Sequence, residues 1–245
     1  MTATAALVRA EARQIYRSPV SMLFSVGLPV LAVVVLASIP ATRRPTDALG
    51  GLSALEAFTA PIVMFSVLVV GVMAMPQTLG MHRESGFLRR LRTTPVAPSS
   101  VLVASLAVHA LLSVAVATVI VAITLGAGGS PPAHPLLLVV VIVLMSAVFL
   151  AVGAVLCAVI PSVKVLSGVG NVVAVIMLFT AGMWVPRASF PEWAQTLTDL
   201  TPGGASAELL TTAIAGGGGG WQEIAVCLFW IALSIGVAVR VFRWE

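Results

Sequence analysis

Long runs of apolar residues, separated by short polar segments, dominate the pattern of this sequence. Six runs are each long enough to cross a bilayer, because a hydrocarbon core about 30 Å thick requires roughly 20 helical residues. Lipid offers no hydrogen-bond partner to the backbone, which favours helices over irregular chain. The pattern predicts an all-α polytopic membrane protein with six transmembrane helices, at residues 20–39, 58–81, 99–126, 136–160, 165–185 and 221–241.

Composition supports the same class. The 245 residues are 59% hydrophobic and only 9% charged, which lies well outside the usual range for soluble domains and fits one membrane domain over residues 1–245. The net charge of +4 does not indicate nucleic acid, because no dense basic patch with interleaved aromatics is present. Cys157 and Cys227 lie inside apolar runs, where cysteine usually packs as a small hydrophobe.

The positions of Lys and Arg predict the orientation. If the amino terminus is cytoplasmic, ten basic residues fall in cytoplasmic segments and three on the opposite side. Short loops rich in Lys and Arg stay inside, so both termini are expected in the cytoplasm, as an even number of spans requires. The amino terminus lacks the features of a cleaved signal, and the first span is expected to be retained.

The segment before the first span has an amphipathic pattern over residues 5–17. The arginines recur every four residues and share one helical face, formed by Arg9, Arg13 and Arg17. Apolar residues occupy the other face: Leu7, Val8 and Ile15. Such a helix is expected to lie in the membrane interface. Glu11 falls near the apolar face, where it needs a partner or must extend to water. A basic flank that only fixes topology is the alternative interpretation.

The polar segment at 82–95 also predicts a short helix. Its apolar side is formed by Phe87, Leu88 and Leu91, and its basic side by Arg89, Arg90 and Arg92. Pro95 ends the element. Two interpretations remain open on physical grounds: an apolar ridge that fits a groove on another protein, or a basic loop that only sets topology.

The loop between the fifth and sixth spans is long and amphipathic. One helical face is predicted for Phe190, Trp193, Leu197 and Leu200, with a helix start at Ser189 to Pro191. The run 201–204, Thr-Pro-Gly-Gly, is expected to break that helix. Residues 205–215 are apolar but too short to span, which predicts a re-entrant element containing Glu208. Five glycines at 216–220 are interpreted as a linker.

Three sequence patterns, found in this order, resemble those of a known family. The first is Arg17-x-Pro19 at the start of the first span, with Pro29 inside that span. The second follows the second span and reads Arg83-Glu84-x-Gly86-x-Leu88-x-x-Leu91-x-x-Thr94-Pro95, and the third precedes the last span and consists of Gly182-x-x-x-Pro186, Pro191-x-Trp193 and Leu200-Thr201-Pro202. The chain resembles the type-2 ABC transporter permeases, especially the small bacterial drug and antibiotic exporters of the daunorubicin type. His82 is a departure, because relatives often carry an acidic or polar residue there.

The resemblance implies an amino-terminal connecting helix at 1–18 and a coupling segment at 82–95 that docks on an ATPase subunit. It places the docking residues at Arg83, Glu84, Gly86, Phe87, Leu88, Leu91 and Arg92. It also implies outer re-entrant helices at 186–216, with gate residues Pro191, Trp193, Pro202 and Glu208. The expected location is the cytoplasmic membrane of a bacterium.

No nucleotide site is visible in the sequence. A phosphate-binding loop needs glycine-rich backbone followed by Lys and Ser or Thr, and the sole lysine, Lys164, has no such context. The chain is therefore expected to be a permease subunit without enzymatic activity and without a cofactor of its own, with ATP and Mg²⁺ on a separate ATPase. His82, His109 and His134 are scattered, which argues against a metal or hydrolase site.

Polar and adaptable residues within the spans are candidate cargo contacts: His109, Asn171, Met177 and Phe179. For His109 and Asn171 the alternative is a hydrogen bond that joins helices. Methionines are also ordinary packing residues.

We expect two permease copies, or this chain with a sister permease, to enclose a cavity for hydrophobic or amphipathic cargo such as a drug, an antibiotic or a lipid. An ATP-independent secondary transporter or channel is the alternative, although such proteins usually carry ionisable groups within the spans.

Overall fold

The computed structural model describes residues 3–49, 51–86, 99–185, 187–217 and 220–241. Within these ranges the chain forms nine principal helices. Their bounds are α1 Ala3–Tyr16, α2 Pro19–Ser38, α3 Ala54–Glu84, α4 Ser99–Gly126, α5 Pro135–Val159, α6 Val163–Thr180, α7 Glu192–Asp199, α8 Pro202–Ala215 and α9 Trp221–Val241. Six of them, α2 to α6 and α9, are long and apolar enough to cross a membrane, which confirms the predicted all-α, six-span class.

Helices α3 and α5 form the interior of the bundle. In their most apolar stretches 61% and 56% of the residues are buried, against 11% in α9. Helix α3 packs against α2, α4, α5, α6 and α8, and the largest fully buried side chains include Phe149, Leu68 and Met145. Large hydrophobic side chains make up most of the outward faces of the other spans, as a lipid environment favours.

Two glycines allow α3 and α5 to cross in direct backbone contact. A Cβ atom on Gly153 would lie 2.0 Å from the Gly71 carbonyl oxygen, and a Cβ atom on Gly71 would lie 2.7 Å from the Phe149 Cβ. Association of helices in lipid depends on close packing, which small residues at the crossing make possible. The interior of the bundle is therefore built around this contact.

Prolines make α2 and α3 locally irregular. Wider π-helical turns occupy Leu23–Gly27, just before Pro29, and Val69–Ala74, just before Pro76. Proline has no N–H, so the carbonyl four residues before it loses its helical partner. For Pro29 that carbonyl is on Ser25, and the Ser66 hydroxyl of α3 donates to it at 2.7 Å. One hydrogen bond thus repairs α2 and joins it to α3.

Two span boundaries differ from the sequence-based expectation by four residues or more. The second span begins at Ala54, four residues before the predicted position, because Ser53 and Glu56 form a reciprocal capping box. The fifth span ends at Thr180 rather than 185, since Gly182 adopts a φ of +79° and turns the chain away. Both differences come from local hydrogen bonding that a hydropathy pattern does not record.

Helix α1 packs against α4. It therefore lies against protein, with Glu11 and Ile15 buried and Arg9 and Arg13 exposed. We refer below to the α1 end of the bundle, which holds α1, Glu84 and the α5–α6 connection at 160–162. The opposite, α8 end holds residues 40–49, 51–53, 127–134, 181–185 and 187–217.

Candidate functional site

Arg83, at the end of α3, binds the connection between α5 and α6. Its guanidinium donates to the carbonyl oxygens of Cys157 at 3.1 Å and Pro161 at 3.0 Å, and also to that of Ile160. The last carbonyls of a helix have no partner within it. A planar guanidinium with five donors can satisfy several of them at once, so Arg83 caps α5 from a different span.

Glu84 binds the other side of the same connection. Its Oε1 accepts a hydrogen bond from the backbone N–H of Val163 at 2.8 Å. Val163 is the first residue of α6, and the side chain of the N-cap residue Ser162 makes no capping bond. A carboxylate at a helix amino terminus also interacts favourably with the helix dipole. Arg83 and Glu84 together hold the α5–α6 connection between them, and we call this arrangement the Arg83–Glu84 clamp.

Gly86 ends α3 in the left-handed conformation, with a φ of +68°. Its N–H bonds to the Arg83 carbonyl at 3.1 Å, in the manner of glycine just past a helix end. The predicted docking residues Phe87, Leu88, Leu91 and Arg92 lie outside the described residues, so their role stays a prediction. Among the described residues, Arg83, Glu84 and Gly86 shape the end of α3 and its contact with the α5–α6 connection.

The four candidate cargo residues do not line one cavity. His109 lies near the α1 end and is 1% exposed, with its Nδ1 2.8 Å from the carbonyl oxygen of Ser105 in its own helix. Asn171 is exposed on α6 and Met177 is buried near α8. Phe179 stacks on Phe190, with ring centroids 5.6 Å apart. Cargo contact by any of them stays a prediction.

The predicted outer re-entrant segment contains two helices, α7 and α8, but the break between them differs from the expectation. Thr201 caps α8 by accepting a hydrogen bond from Gly204 N–H at 3.0 Å, so Pro202 and both glycines belong to its first turn. Proline is favoured there because the first N–H groups are unpaired anyway. Helix α8 packs among α3, α5, α6 and α9. It is thus shielded largely by protein.

Glycine is required where α8 begins. A Cβ atom on Gly203 would lie 2.4 Å from the Met177 carbonyl oxygen of α6, and one on Gly204 would lie 2.0 Å from the carbonyl oxygen of Thr198. No side chain could occupy those positions without displacing backbone. Helix α8 is therefore seated directly on the end of α6.

The four predicted gate residues sit differently around these two helices. Pro202 is buried at the start of α8, and Pro191 and Trp193 are exposed on the α7 side. Glu208 lies on α8, with its side chain 49% exposed. Their role as a gate stays a prediction.

Arg187 joins the two outer helices, and the sequence pattern did not single it out. Its guanidinium pairs with Asp199 of α7 and with Glu208 of α8, the latter at 3.1 Å, and also donates to the Gly204 carbonyl at 3.0 Å. The sequence does show an arginine followed by acidic residues on two adjacent helices. These residues can form ion pairs only if the helices approach closely, which the sequence does not reveal.

The bundle and its two polar ends define a six-span helical membrane protein in which hydrogen bonds and ion pairs join the loops of neighbouring spans. Comparison with protein families gives the assignment: the ABC-2 type transporter family matches residues 2–214, and the chain belongs to it. A comparison with curated proteins found no match. The protein is thus an ABC permease subunit, and the resemblance inferred from the motifs is confirmed.

Proposed function

We propose that this chain is the membrane subunit of an ABC exporter that moves hydrophobic or amphipathic cargo, such as a drug, an antibiotic or a lipid, out of a bacterial cell. ATP and Mg²⁺ bind a separate ATPase subunit, which docks on the coupling segment at 82–95. The α1 end of the bundle faces the cytoplasm, as the excess of Lys and Arg there supports. Both termini then lie in the cytoplasm.

The Arg83–Glu84 clamp is the observation that carries this proposal. Force applied to the coupling segment reaches α3 first. Because Arg83 holds the end of α5 and Glu84 holds the start of α6, displacement of α3 also moves these two spans. Closure of the ATPase on ATP would shift the population of the bundle between inward-open and outward-open arrangements.

A second permease, identical or a sister chain, completes the cargo pathway. The described spans of this chain pack around an interior filled by side chains such as Phe149 and Met145, which leaves no continuous route through a single copy. Exposed apolar surface on α6 and α9 fits either lipid or the facing permease. Cargo that travels along such a surface would be hydrophobic or amphipathic.

Reconstitution tests the proposal. The permease is placed in vesicles with and without its ATPase, and export of a rhodamine dye is followed by fluorescence. We expect transport only with both subunits and ATP. Transport without the ATPase would overturn the proposal in favour of a secondary transporter or channel.

The clamp is tested separately by Glu84→Gln. The change keeps an acceptor for the Val163 N–H but removes its charge, a difference of about 1 kcal/mol, so dye transport per ATP hydrolysed should fall by roughly fivefold while membrane insertion stays normal. Asp47→Asn, which neutralises an exposed carboxylate at the α8 end, is the matched control and should transport normally. Unchanged coupling in Glu84→Gln would contradict the role given to the clamp.

A further inference from the structure

A buried polar cluster connects α1 to the ends of two spans. Glu11 of α1 is 4% exposed, and its Oε1 lies 3.4 Å from Nδ1 of His82 in α3, which is 7% exposed. The other ring nitrogen of His82 lies 2.8 Å from Oε1 of Gln14, also in α1. Ser105 and His109 of α4 are buried on the third side. The pair therefore sits where three elements meet, and His82 directly precedes the clamp.

The other charged side chains that are described in this region either lie on an exposed face or bind other groups. On α1, Arg9 and Arg13 occupy the exposed face. On α3, Arg83 and Glu84 are bound to the α5–α6 connection. Among the described residues, the further titratable group near the pair is His109 of α4, which interacts electrostatically with His82.

An open cleft beside the pair gives it access to water. It has a volume of about 370 Å³, and Leu7, Ala10, Met81 and Ser85 line it together with Glu11, Gln14 and His82. Protons can therefore reach the pair from the α1 end without crossing the bundle.

Protonation determines how well Glu11 tolerates this position. A buried carboxylate is costly unless it is neutralised or paired. Burial raises the pKa of Glu11 from its ordinary value of 4.5 to about 7, and a hydrogen bond with the Ser105 side chain offsets part of this effect. A raised pKa favours the neutral form in the docked state. Docking of α1 is therefore strongest below about pH 4.5, weakens as the pH rises from there to about 7, and changes little above that.

We propose that Glu11 and His82 form a proton-sharing joint that fastens α1 to the end of α3, just before the coupling segment. When the carboxyl and the imidazole share one proton, each group provides the other's hydrogen-bond partner, and α1 moves together with α3. When the proton is lost, Glu11 becomes a buried carboxylate with insufficient compensation, and α1 separates from α4 and α3. Both side chains act as positioning residues, through the contacts that they make between α1 and α3.

Cysteine labelling on the permease alone tests the joint. Ile15 lies one helical turn after Glu11 on the same face and is 7% exposed, so Ile15→Cys reports whether α1 is docked. Cys157 and Cys227 are replaced by Ala, and labelling by a membrane-impermeant maleimide is compared with that of a small exposed thiol between about pH 5.5 and about 8.5. We expect protection at low pH and a relative labelling rate at least about tenfold higher at high pH.

Variants separate the joint from general destabilisation. Glu11→Gln, which stays neutral, should keep Ile15→Cys protected at every pH, and His82→Gln should move the midpoint of the profile. Glu192→Gln removes an exposed carboxyl at the α8 end and should leave the profile unchanged. A flat profile for the unmodified pair, or a Glu11→Gln profile equal to it, would overturn the proposal.

The link to transport rests on the proposed function and is measured in the complex with the ATPase. Dye transport per ATP should decline as the pH rises toward about 7 in the unmodified complex, and should not do so in Glu11→Gln. Equal declines in both would overturn the link between the joint and coupling. Failure of ATP-driven transport at every pH would count against the proposed function alone, because labelling is read without the ATPase.

Discussion

Replacing Gly153 by alanine is the sharpest test of how the bundle is assembled. The new Cβ would lie 2.0 Å from the Gly71 carbonyl oxygen and 2.9 Å from Pro76 Cγ. A carbon and a carbonyl oxygen normally approach no closer than about 3.3 Å. Backbone on one side of the contact cannot rotate away as a side chain can, so α3 and α5 must separate by about 1.3 Å or bend.

The energetic cost follows from packing. One added methyl group in a close-packed interior costs about 1–3 kcal/mol, and here the separation also loosens the contact between Gly71 and Phe149. For a chain of this length, each kcal/mol corresponds to about 2–4 °C in the midpoint of thermal unfolding. We therefore expect Gly153→Ala to lower that midpoint by about 6 °C.

Thermal unfolding of the purified permease in detergent, followed by intrinsic tryptophan fluorescence, gives the measurement. Gly168→Ala and Gly236→Ala are matched controls, because a Cβ atom at either position meets no atom within 4 Å. Both controls should unfold at or slightly above the original temperature, since alanine favours the helix. If Gly153→Ala is as stable as these controls, the direct backbone crossing of α3 and α5 is refuted.

Three further substitutions test other contacts. Arg83→Lys keeps the charge but cannot reach several carbonyls together, so reconstituted transport per ATP should fall while insertion, measured by membrane fractionation, is unchanged. Arg187→Gln removes two half-exposed ion pairs and a charged bond to Gly204; we expect about 1–3 kcal/mol lower stability and faster proteolysis between α7 and α8. Ser53→Ala breaks the capping box with Glu56 and should cost about 1 kcal/mol in thermal unfolding.

The sequence predicted the spans well because the bilayer imposes a simple rule. A stretch such as residues 99–126 must be helical to satisfy its backbone in lipid, and the structure has that helix with the same bounds. The start of α3 was predicted four residues late, since the capping box depends on two side chains rather than on hydropathy. Its position required the hydrogen bonds themselves.

The candidate site was only partly visible in the sequence. The family pattern identified Arg83 and Glu84 as important, but their partners are backbone groups of residues 157–163, more than seventy positions later. Backbone groups carry no signature in a sequence. Arg187 was missed for a related reason, because its partners become neighbours only when α7 and α8 fold back on each other.

Glu11 illustrates what the sequence predicts by itself and what requires the tertiary structure. Its place on the apolar face of an amphipathic helix followed from helical periodicity alone, and so did the need for a partner. That the partner is His82 was decided by the packing of α1 against α4 beside the end of α3. The sequence alone determined the membrane class and the number of spans, because those follow from local hydropathy. Only the tertiary structure decided which polar groups meet, because such contacts depend on how helices distant in sequence cross.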